Sequence, residues 1–563
     1  MSPTPTTITK TRLQEIVAKM RADKLAAQKA SQVPEPTPNP EHTGNAAGAT
    51  DKNGNLISYN SKQQEFVSLA STGASCVLIG AAGTGKTTCM KGTVSTLIDS
   101  GFLGLLQAEG HKHLSTNSPG IAICAYTRRA ANNIRKNLSL DVQSNCITIH
   151  KLIEYTPVYY AVVDEATGTE KTKMCFEPTR NQANPLPTSI KTIIFEESSM
   201  IGTDLYKEVI AACPHRPQLI FLGDIQQLPP VFGPAILGFK LLSLPVVELT
   251  DVYRQALESP IIALAHRILS GKPIPHREYA DWKKPDQLTI HAWKKKISAQ
   301  DALSTAGQFF IAAEKSGAYD PEEDMILLPF NKSFGTIELN KIIANHLSKK
   351  RGVDTYEIVT GFFRHYFSVG DKVLYEKEDA EIVKIETNPA YSGAKCLPHS
   401  PTLDYWGYDP VTKIPDTANP DDSSQADVDF LLSQVAASDQ ERVHQASHTL
   451  HLKMLDSEQI VKVDKAADIN SMLLGYALTV HKSQGSEWRK VFFVTHQSHA
   501  TMLQRELLYT AVTRAKEELY IICEPETFTK GIESQRVKGN TIAEKAAYFQ
   551  GKLDSSSDYS EFN

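Results

Sequence analysis

Short apolar runs recur along the chain, and each is followed by polar or glycine-rich residues. A continuous apolar run of this length predicts a strand that is buried on both faces. Such runs occur at Cys76–Ile79, Gly120–Ala125, Lys191–Met200, Gln218–Leu222, Met325–Leu328 and Leu519–Cys523. A helical pattern follows the first of them, at Thr88–Ile98. Because parallel strands collect their polar ends at one edge of a sheet, we predict an α/β protein with parallel sheets.

Two regions depart from this pattern. Residues 157–177 contain two β-rich runs, PVYYAVVDE and KTKMCFEP, separated by ATGT, which predicts a hairpin. From Gly370 the alternation typical of short β-strands predicts a β-rich insertion, which ends with a hairpin at Ser447–Val463. The irregular stretch 398–425 is rich in Pro, Asp and Ser and has no assigned role.

The predicted organisation has six parts. They are 1–55, a helix and a Pro-rich linker; 56–248, a first sheet domain with a hairpin at about 153–190; 249–370, the first part of a second sheet domain; 371–465, the β-rich insertion; 466–540, the second part of that domain; and 541–563, an acidic tail. The N-terminal helix has two interpretations, a docking helix for a partner or a solubilising tail without fixed structure.

Composition excludes several classes of protein. No apolar run approaches the roughly 18 residues that a membrane span needs, so we expect no membrane association. The eight cysteines form no C-x-x-C pairs, which argues against a zinc site or a disulfide framework and fits a reducing cytoplasm. The net charge of −5 does not indicate a nucleic-acid binder, but a basic groove on an acidic protein would suffice.

One motif identifies a nucleotide site. Gly80-x-x-x-x-Gly85-Lys86-Thr87 follows a predicted strand and opens a predicted helix, as in a phosphate-binding loop. Lys86 is expected to reach the β- and γ-phosphates, and the Thr87 hydroxyl to ligate Mg²⁺. The loop residues predicted to bind nucleotide are Gly80, Ala81, Ala82, Gly83, Thr84, Gly85, Lys86, Thr87 and Thr88.

Other polar residues complete the predicted site. Glu196 and Glu197 end a buried strand, where one carboxylate of an NTPase holds Mg²⁺ and a second positions water. Gln63 stands upstream of the loop, and its amide offers both a donor and an acceptor to adenine. Thr148 and His150 follow a further strand, where they are candidates for phosphate or sugar contacts.

Together, the motifs resemble those of superfamily 1 helicases over about residues 56–525. The likeness is strongest to the B-type branch, the RecD-like and phage Dda-like DNA helicases. It is carried most specifically by GDIQQLPPV at Gly223–Val231, TVHKSQGSE at Thr479–Glu487 and YTAVTRAK at Tyr509–Lys516. The resemblance implies two RecA-like domains, a β-hairpin pin in the first and a small SH3-like β-barrel in the second.

The resemblance also assigns roles by position. In the first domain, it implies that Gln63 binds adenine, that Lys86 and Thr87 bind the phosphates and Mg²⁺, and that Glu196 binds Mg²⁺. Glu197 would be the catalytic carboxylate, and Gln227 would sense the γ-phosphate. From the second domain, Arg254 and Arg514 would reach the γ-phosphate, Tyr253 would lie beside Arg254, and Glu487 would bind the ribose. For single-stranded DNA, it implies Thr127, His150, Asn331, Thr479 and His481, with Phe176 and then Tyr160 as the pin aromatic.

The activity that the resemblance implies is that of an ATP-dependent DNA helicase, an ATP hydrolase that uses Mg²⁺ and moves 5′-to-3′ on single-stranded DNA. It would act at DNA forks in replication, recombination or repair, as a monomer in a bacterial cytoplasm, with a phage gene as an alternative source. A single-strand-binding or replisome protein is expected to dock on the N-terminal helix or the acidic tail.

One residue departs from the family pattern, which has Asp-Glu where this chain has Glu196-Glu197. A longer side chain can still reach Mg²⁺ through a water, so we expect hydrolysis, with a slow or metal-sensitive enzyme as a variant of that expectation. Two alternatives stay open. They are an RNA helicase or RNA-dependent ATPase of the same architecture, and a non-catalytic ATP-sensing scaffold.

Overall fold

The computed structural model describes most of the chain. The described residues are 45–50, 56–108, 110–163, 170–230, 233–250, 259–274, 287–293, 297–361, 363–375, 378–389, 391, 445–455, 458–555 and 559. The described part opens with a two-stranded antiparallel sheet formed by β1 (Asn45–Thr50) and β2 (Leu56–Ser58).

A six-stranded parallel sheet forms the first unit. Its strands are β3 (Cys76–Gly80), β4 (Ile121–Ala125), β5 (Cys146–Thr148), β8 (Thr192–Phe195), β9 (Gln218–Gly223) and β10 (Val246–Leu249), in the order β10-β3-β9-β8-β4-β5. Alternate residues of β3 face opposite cores, with Val77 and Ile79 on one side and Cys76 and Leu78 on the other. Burial on both faces explains why the strand reads as a continuous apolar run.

Helices cover both faces of this sheet. They are α1 (Ser61–Ser71), α2 (Lys86–Asp99), α3 (Arg128–Arg135), α4 (Leu140–Gln143), α5 (Ile149–Leu152), α6 (Thr203–Ala211) and α7 (Ile236–Ser243), with a 3₁₀ turn at Ser198–Met200. Between α5 and β8, strands β6 (Tyr155–Val163) and β7 (Glu170–Pro178) pair antiparallel as the predicted hairpin.

A second parallel sheet has five strands. They are β11 (Leu288–Ala292), β12 (Met325–Leu328), β20 (Ala477–Thr479), β21 (Trp488–Val494) and β22 (Ala515–Cys523), in the order β11-β22-β21-β12-β20. The helices of this unit are α8 (Pro260–Leu269), α9 (Ala299–Lys315), α10 (Thr336–Arg351), α12 (Arg505–Val512) and α13 (Pro525–Glu533), with a 3₁₀ turn at Gln497–His499. The predicted fold class, α/β with two parallel sheets, is confirmed.

The β-rich segment within the second unit begins earlier than predicted, at Thr355 rather than at 371. Strands β13 (Thr355–Thr360) and β14 (Phe363–Ser368) pair with each other, and β15 (Lys372–Tyr375), β16 (Glu378–Thr387), β17 (Gln445–Met454), β18 (Ile460–Lys465) and β19 (Leu473–Leu474) form an antiparallel sheet, with α11 (Ala466–Ser471) before β19. Ile358 and Phe367 share one core with Val373 and Ile382. This shared core explains why the two additional strands belong to the same β-rich segment.

The C-terminal segment also differs from the prediction. Residues predicted as an acidic tail form helix α14 (Ile542–Ser555), which packs on α7 of the first unit. Phe549 is buried and lies edge-on to Phe239, and Tyr559 stacks on the same ring. Gly238 allows this approach, because a Cβ there would overlap the Phe549 ring. Among the described helices, none is both long and apolar enough to cross a bilayer.

Candidate active site

The phosphate loop connects β3 to α2 and turns through two left-handed glycines, Gly83 (φ 80°) and Gly85 (φ 87°). Helix α2 begins at Lys86, so the first backbone N–H groups of the helix and its positive end point into the loop. The Lys86 ammonium donates to the carbonyl oxygens of Gly80 (2.7 Å) and Ala81 (3.2 Å). The predicted phosphate ligand therefore already lies inside the loop.

Gln63 lies directly beside the loop and is fully buried. Its Nε2 donates to the carbonyl of Thr84 (3.2 Å), and its Oε1 accepts from the backbone N–H of Asn60 (3.1 Å) at the start of α1. Both ends of the amide thus bind protein groups in this structure. The adenine-reading role of Gln63 stays a prediction.

Glu196 and Glu197 follow β8 at the carboxyl edge of the first sheet. Burial, followed by the negative charge of Glu197, raises the pKa of Glu196 to about 8, while Lys86 nearby acts in the opposite direction. Glu197 has a left-handed backbone (φ 50°), and its Oε2 is buried without a hydrogen-bond partner. A buried carboxylate at Glu196, next to a half-buried one with an unsatisfied oxygen at Glu197, suits a divalent cation.

The described residues contain no group of three or more His, Cys, Asp or Glu that could hold a metal ion on their own. A cation at this edge would therefore take few protein ligands, with Thr87 and Glu196 as the predicted pair. Mg²⁺ binds in this way, since it keeps several waters and uses substrate phosphates as ligands. The residues present fit Mg²⁺.

The turn after β9 carries Gln227, which is buried, and its Oε1 has no hydrogen-bond partner. Asp224 opens the turn, accepting from the backbone N–H of Gln226 through Oδ1 (2.9 Å) and from that of Gln227 through its carbonyl (3.1 Å). The Gln227 Oε1 could therefore accept a hydrogen bond from a ligand bound at this edge of the sheet.

Helix α12 of the second unit lies against this turn and the phosphate loop. The Tyr509 hydroxyl accepts from the N–H of Ala82 (2.8 Å), and the Thr510 hydroxyl accepts from the N–H of Leu228 (3.0 Å). Arg514 follows the helix and is buried. Its guanidinium donates to the carbonyls of Ser486 (3.0 Å) and Thr510 (3.1 Å). The predicted arginine therefore lies in the segment that faces the phosphate loop.

The other three residues that were predicted to meet the nucleotide from the second unit, beside Arg514, have different outcomes. Tyr253 and Arg254 lie outside the described residues, as does Tyr160 at the level of its side chain. Glu487 is half exposed, with Oε2 3.6 Å from Lys516 Nζ, and its charge contributes to the raised pKa of Glu196. The ribose-binding role of Glu487 stays a prediction.

Among the predicted strand contacts, Thr127 and His150 lie at the carboxyl edge of the first sheet. Thr127 caps α3 by accepting from the N–H of Ala130 (3.1 Å). The His150 ring lies between Tyr126 and Tyr155, at centroid distances of 5.6 and 5.0 Å. The resulting row of three rings runs from the end of β4 to the base of the hairpin.

The remaining predicted strand contacts lie in the second unit. Asn331 and Thr479 are buried and serve the fold: Asn331 Oδ1 accepts from the Thr336 hydroxyl (3.0 Å), and Thr479 Oγ1 accepts from the N–H of Lys482 (3.3 Å). His481 lies beyond the end of β20 and is partly exposed. Of these three residues, His481 is the one whose side chain reaches the surface.

Phe176 lies near the base of the hairpin, opposite Pro157, rather than at its tip. Its side chain is 59% exposed, which argues against a role in packing the hairpin onto the first unit. The base itself is held by a buried ion pair, Glu154 with Arg180, at 2.7 Å.

Sequence reasoning missed four of these participants. Asp224 and Tyr509 lie inside the quoted motifs GDIQQLPP and YTAVTRAK, so the motif positions were the available signal. Glu154 and Arg180 carry no such signal, because a pair separated by 26 residues is recognised only when the hairpin between them is formed.

The fold and the site define a class. Two parallel-sheet units meet at a phosphate loop, with Glu196 and Glu197 on one side and Arg514 on the other, an arrangement typical of nucleotide-driven motors. Family models agree: residues 63–233 match an AAA domain, and residues 474–522 match a UvrD-like helicase C-terminal domain.

Curated relatives narrow the class. The chain is 26% identical over 471 residues to the ATP-dependent RecD2 DNA helicase of Deinococcus radiodurans, covering 83% of this chain and 49% of that one. It is 23% identical to the RecBCD enzyme subunit RecD of Mycolicibacterium smegmatis, covering 83% and 72%. Over most of its length the chain is therefore similar to RecD2 and RecD proteins. The chain spans about half the length of the Deinococcus relative.

Solved structures also resemble the chain. One is Pif1 helicase from Bacteroides in complex with ADP-AlF3 and single-stranded DNA, at 15% identity, with a TM-score of 0.45, covering 89% of this chain and 99% of that one. A similarity at this level carries no argument about function.

Proposed function

We propose that the protein is an ATP-dependent DNA helicase that translocates on single-stranded DNA. The observation that carries the proposal is the contact of α12 with the phosphate loop, through the hydrogen bond between Tyr509 and Ala82. A nucleotide in the loop would lie against the segment that carries Arg514. The presence or absence of the nucleotide's γ-phosphate charge would therefore control how the two sheet units approach each other.

Each side of the cleft contributes different chemistry. Lys86 and the loop N–H groups hold the phosphates, and Thr87 and Glu196 hold Mg²⁺. Glu197 positions the attacking water. Arg514 and Arg254 stabilise the charge that develops on the γ-phosphate, and Gln227 senses that phosphate. An arginine in this role is worth about 10³–10⁵ in rate in other phosphoryl-transfer enzymes.

The strand would cross the carboxyl edges of both sheets. Thr127, His150 and His481 contact it, together with Asn331 and Thr479 if the second unit rearranges when DNA binds. Contacts of this kind go mostly to the backbone, so binding is largely independent of sequence. The hairpin serves as the pin that separates the strands. Polarity is 5′-to-3′, by likeness to the B-type branch, and the pathways are replication, recombination or repair.

The test is ATP hydrolysis with and without single-stranded DNA or RNA of the same sequence. We expect DNA to stimulate hydrolysis more than RNA does. Glu197→Gln should still bind ATP while hydrolysis collapses, and Glu196→Asp, which restores the usual family residue, should keep or raise activity. Normal hydrolysis by Glu197→Gln would show that the two carboxylates are assigned wrongly.

Two outcomes select the alternatives. Stronger stimulation by RNA than by DNA would identify an RNA-dependent ATPase on the same architecture. ATP binding without hydrolysis, at any Mg²⁺ concentration and with either strand, would identify an ATP-sensing scaffold. The observation that favours the scaffold is Glu196 itself, which stands where the family has an aspartate.

A further inference from the structure

One hydroxyl group joins three parts of the nucleotide site. The Tyr509 side chain is buried, and its oxygen accepts from the N–H of Ala82 (2.8 Å) while its proton is donated to Oδ2 of Asp224 (2.6 Å). Ala82 belongs to the phosphate loop, and Asp224 opens the turn that carries Gln227. Tyr509 itself lies on α12, which leads into Arg514.

Burial keeps this hydroxyl protonated. Desolvation, followed by the charge of Asp224, raises the pKa of Tyr509 well above its ordinary value. The group therefore stays a hydrogen-bond donor to Asp224 over the whole range in which the protein would work. Because the hydroxyl donates to one group and accepts from the other, it fixes the distance between the Asp224 carboxylate and the Ala82 N–H.

The helix that carries Tyr509 is anchored at its other end to the second unit. Arg505 Nε donates to the carbonyl of Ile532 (2.8 Å), and Glu506 accepts from the N–H of Val537 (3.0 Å). Toward its C-terminal end, Arg514 Nε donates to the carbonyl of Thr510 (3.1 Å). A shift of the helix relative to the phosphate loop would therefore move the arginine by a similar amount.

We propose that Tyr509 is a positioning residue that sets Arg514 and Gln227 in register with the phosphate loop when the cleft closes. This proposal rests on the proposed function of the site. Tyr509 acts through its partners and touches no reacting atom. Because a misplacement of about 1 Å can cost about 10²-fold in rate, the loss of this link should appear in turnover rather than in nucleotide binding.

The test is Tyr509→Phe, which removes the hydroxyl and keeps the ring. We expect kcat for strand-stimulated ATP hydrolysis to fall about tenfold, with KM and the affinity for a non-hydrolysable ATP analogue within about twofold of the parent. Tyr520→Phe is the matched control, because Tyr520 also donates to a carboxylate, Glu518 (2.9 Å), but within the second unit. It should leave all three quantities unchanged.

A second variant keeps the test decisive. Asp224→Ala should lower kcat at least as much, because it also removes the bond to the Gln226 N–H, and in the Tyr509→Phe background it should cost less than in the parent, because both changes break the link between Tyr509 and Asp224. Full additivity of the two changes would overturn the proposal. So would unchanged kcat in Tyr509→Phe, or tighter analogue binding with unchanged kcat, which would show that the hydroxyl only occupies a loop N–H.

ATP hydrolysis by the parent protein distinguishes a failure of this proposal from a failure of the proposed function. If the parent does not hydrolyse ATP above the level of Lys86→Ala, the proposed function fails before Tyr509 is tested. If the parent hydrolyses ATP and Tyr509→Phe matches it, the inference about Tyr509 fails alone.

Discussion

The ion pair at the base of the hairpin offers a quantitative test of how the hairpin is held. Arg180 Nε donates to Glu154 Oε2 (2.7 Å), and the backbone N–H of Lys112 donates to Oε1 (2.5 Å). The side chains of Glu154 and Arg180 are only 4% and 7% exposed. Arg180 also donates to the carbonyl of Pro185 (3.2 Å) and to that of Gly110. One guanidinium thus joins both ends of the hairpin to two loops.

Arg180→Ala would leave the Glu154 carboxylate buried without its guanidinium partner, with only the Lys112 N–H and the His111 ring beside it. Breaking a buried pair in this way costs about 3–5 kcal/mol. Replacing both members, as in Glu154→Gln with Arg180→Met, removes the isolated charge and should recover much of that loss. The double variant is therefore the matched control.

The contribution of the Glu154–Arg180 pair to stability depends on pH in a definite direction. Burial alone would raise the pKa of Glu154, but the bonds from Arg180 and the Lys112 N–H hold it below the ordinary value of 4.5. The pair therefore contributes stability that is fully present above pH 4.5 and is lost as pH falls through the lowered pKa. In Arg180→Ala, burial dominates and the carboxyl can take up a proton, so the defect should shrink in acid.

Amide hydrogen exchange is the assay, read on 155–178 at neutral pH. A loss of 3–5 kcal/mol in local stability corresponds to about 10²- to 4 × 10³-fold faster exchange where opening is local. We expect exchange to become faster by this factor in Arg180→Ala and to return part of the way in the double variant. Arg180→Ala should also separate strands poorly, while its strand-stimulated ATPase activity stays nearly unchanged. Unchanged exchange in Arg180→Ala would refute the reasoning.

Three further predictions concern single side chains. Lys86→Ala and Arg514→Ala should each abolish ATP hydrolysis, but Arg514→Ala should keep nucleotide binding, which equilibrium titration would show; a complete loss of binding would exclude the assigned role. Phe176→Ala should leave ATPase and melting temperature nearly unchanged and cut unwinding severely, whereas a parallel drop in all three would indicate packing. Gly238→Ala should release α14, seen as proteolysis near residue 541, while Gly551→Ala, which meets nothing within 4 Å, should not.

Sequence patterns were sufficient where local chemistry decides the structure. The apolar run before the phosphate loop is a strand from Cys76 to Gly80, and Met325–Leu328 is a strand with the predicted bounds. Both are buried on two faces, so their residues read as apolar without interruption. Gly83 and Gly85 of the loop have the left-handed backbone that glycine adopts most readily.

The rest depended on partners that are distant in sequence. Residues after 541 were predicted as a tail because they are polar and acidic, but Phe549 fills a space that Gly238 leaves open on α7. The start of the β-rich segment at Thr355 follows from a core shared with strands about a hundred residues later. Buried roles for Asn331 and Thr479 likewise follow from hydrogen bonds within the second unit.

Strand separation is the most direct test of the central claim, that ATP hydrolysis at this site drives movement along DNA. The measurement is unwinding of a duplex with a 5′ or a 3′ single-stranded tail, with ATP and Mg²⁺, beside Lys86→Ala. We predict that the parent unwinds the 5′-tailed duplex and that Lys86→Ala unwinds neither. Strand separation by Lys86→Ala equal to that of the parent, or ATP hydrolysis by the parent with no unwinding of either substrate, would contradict the account.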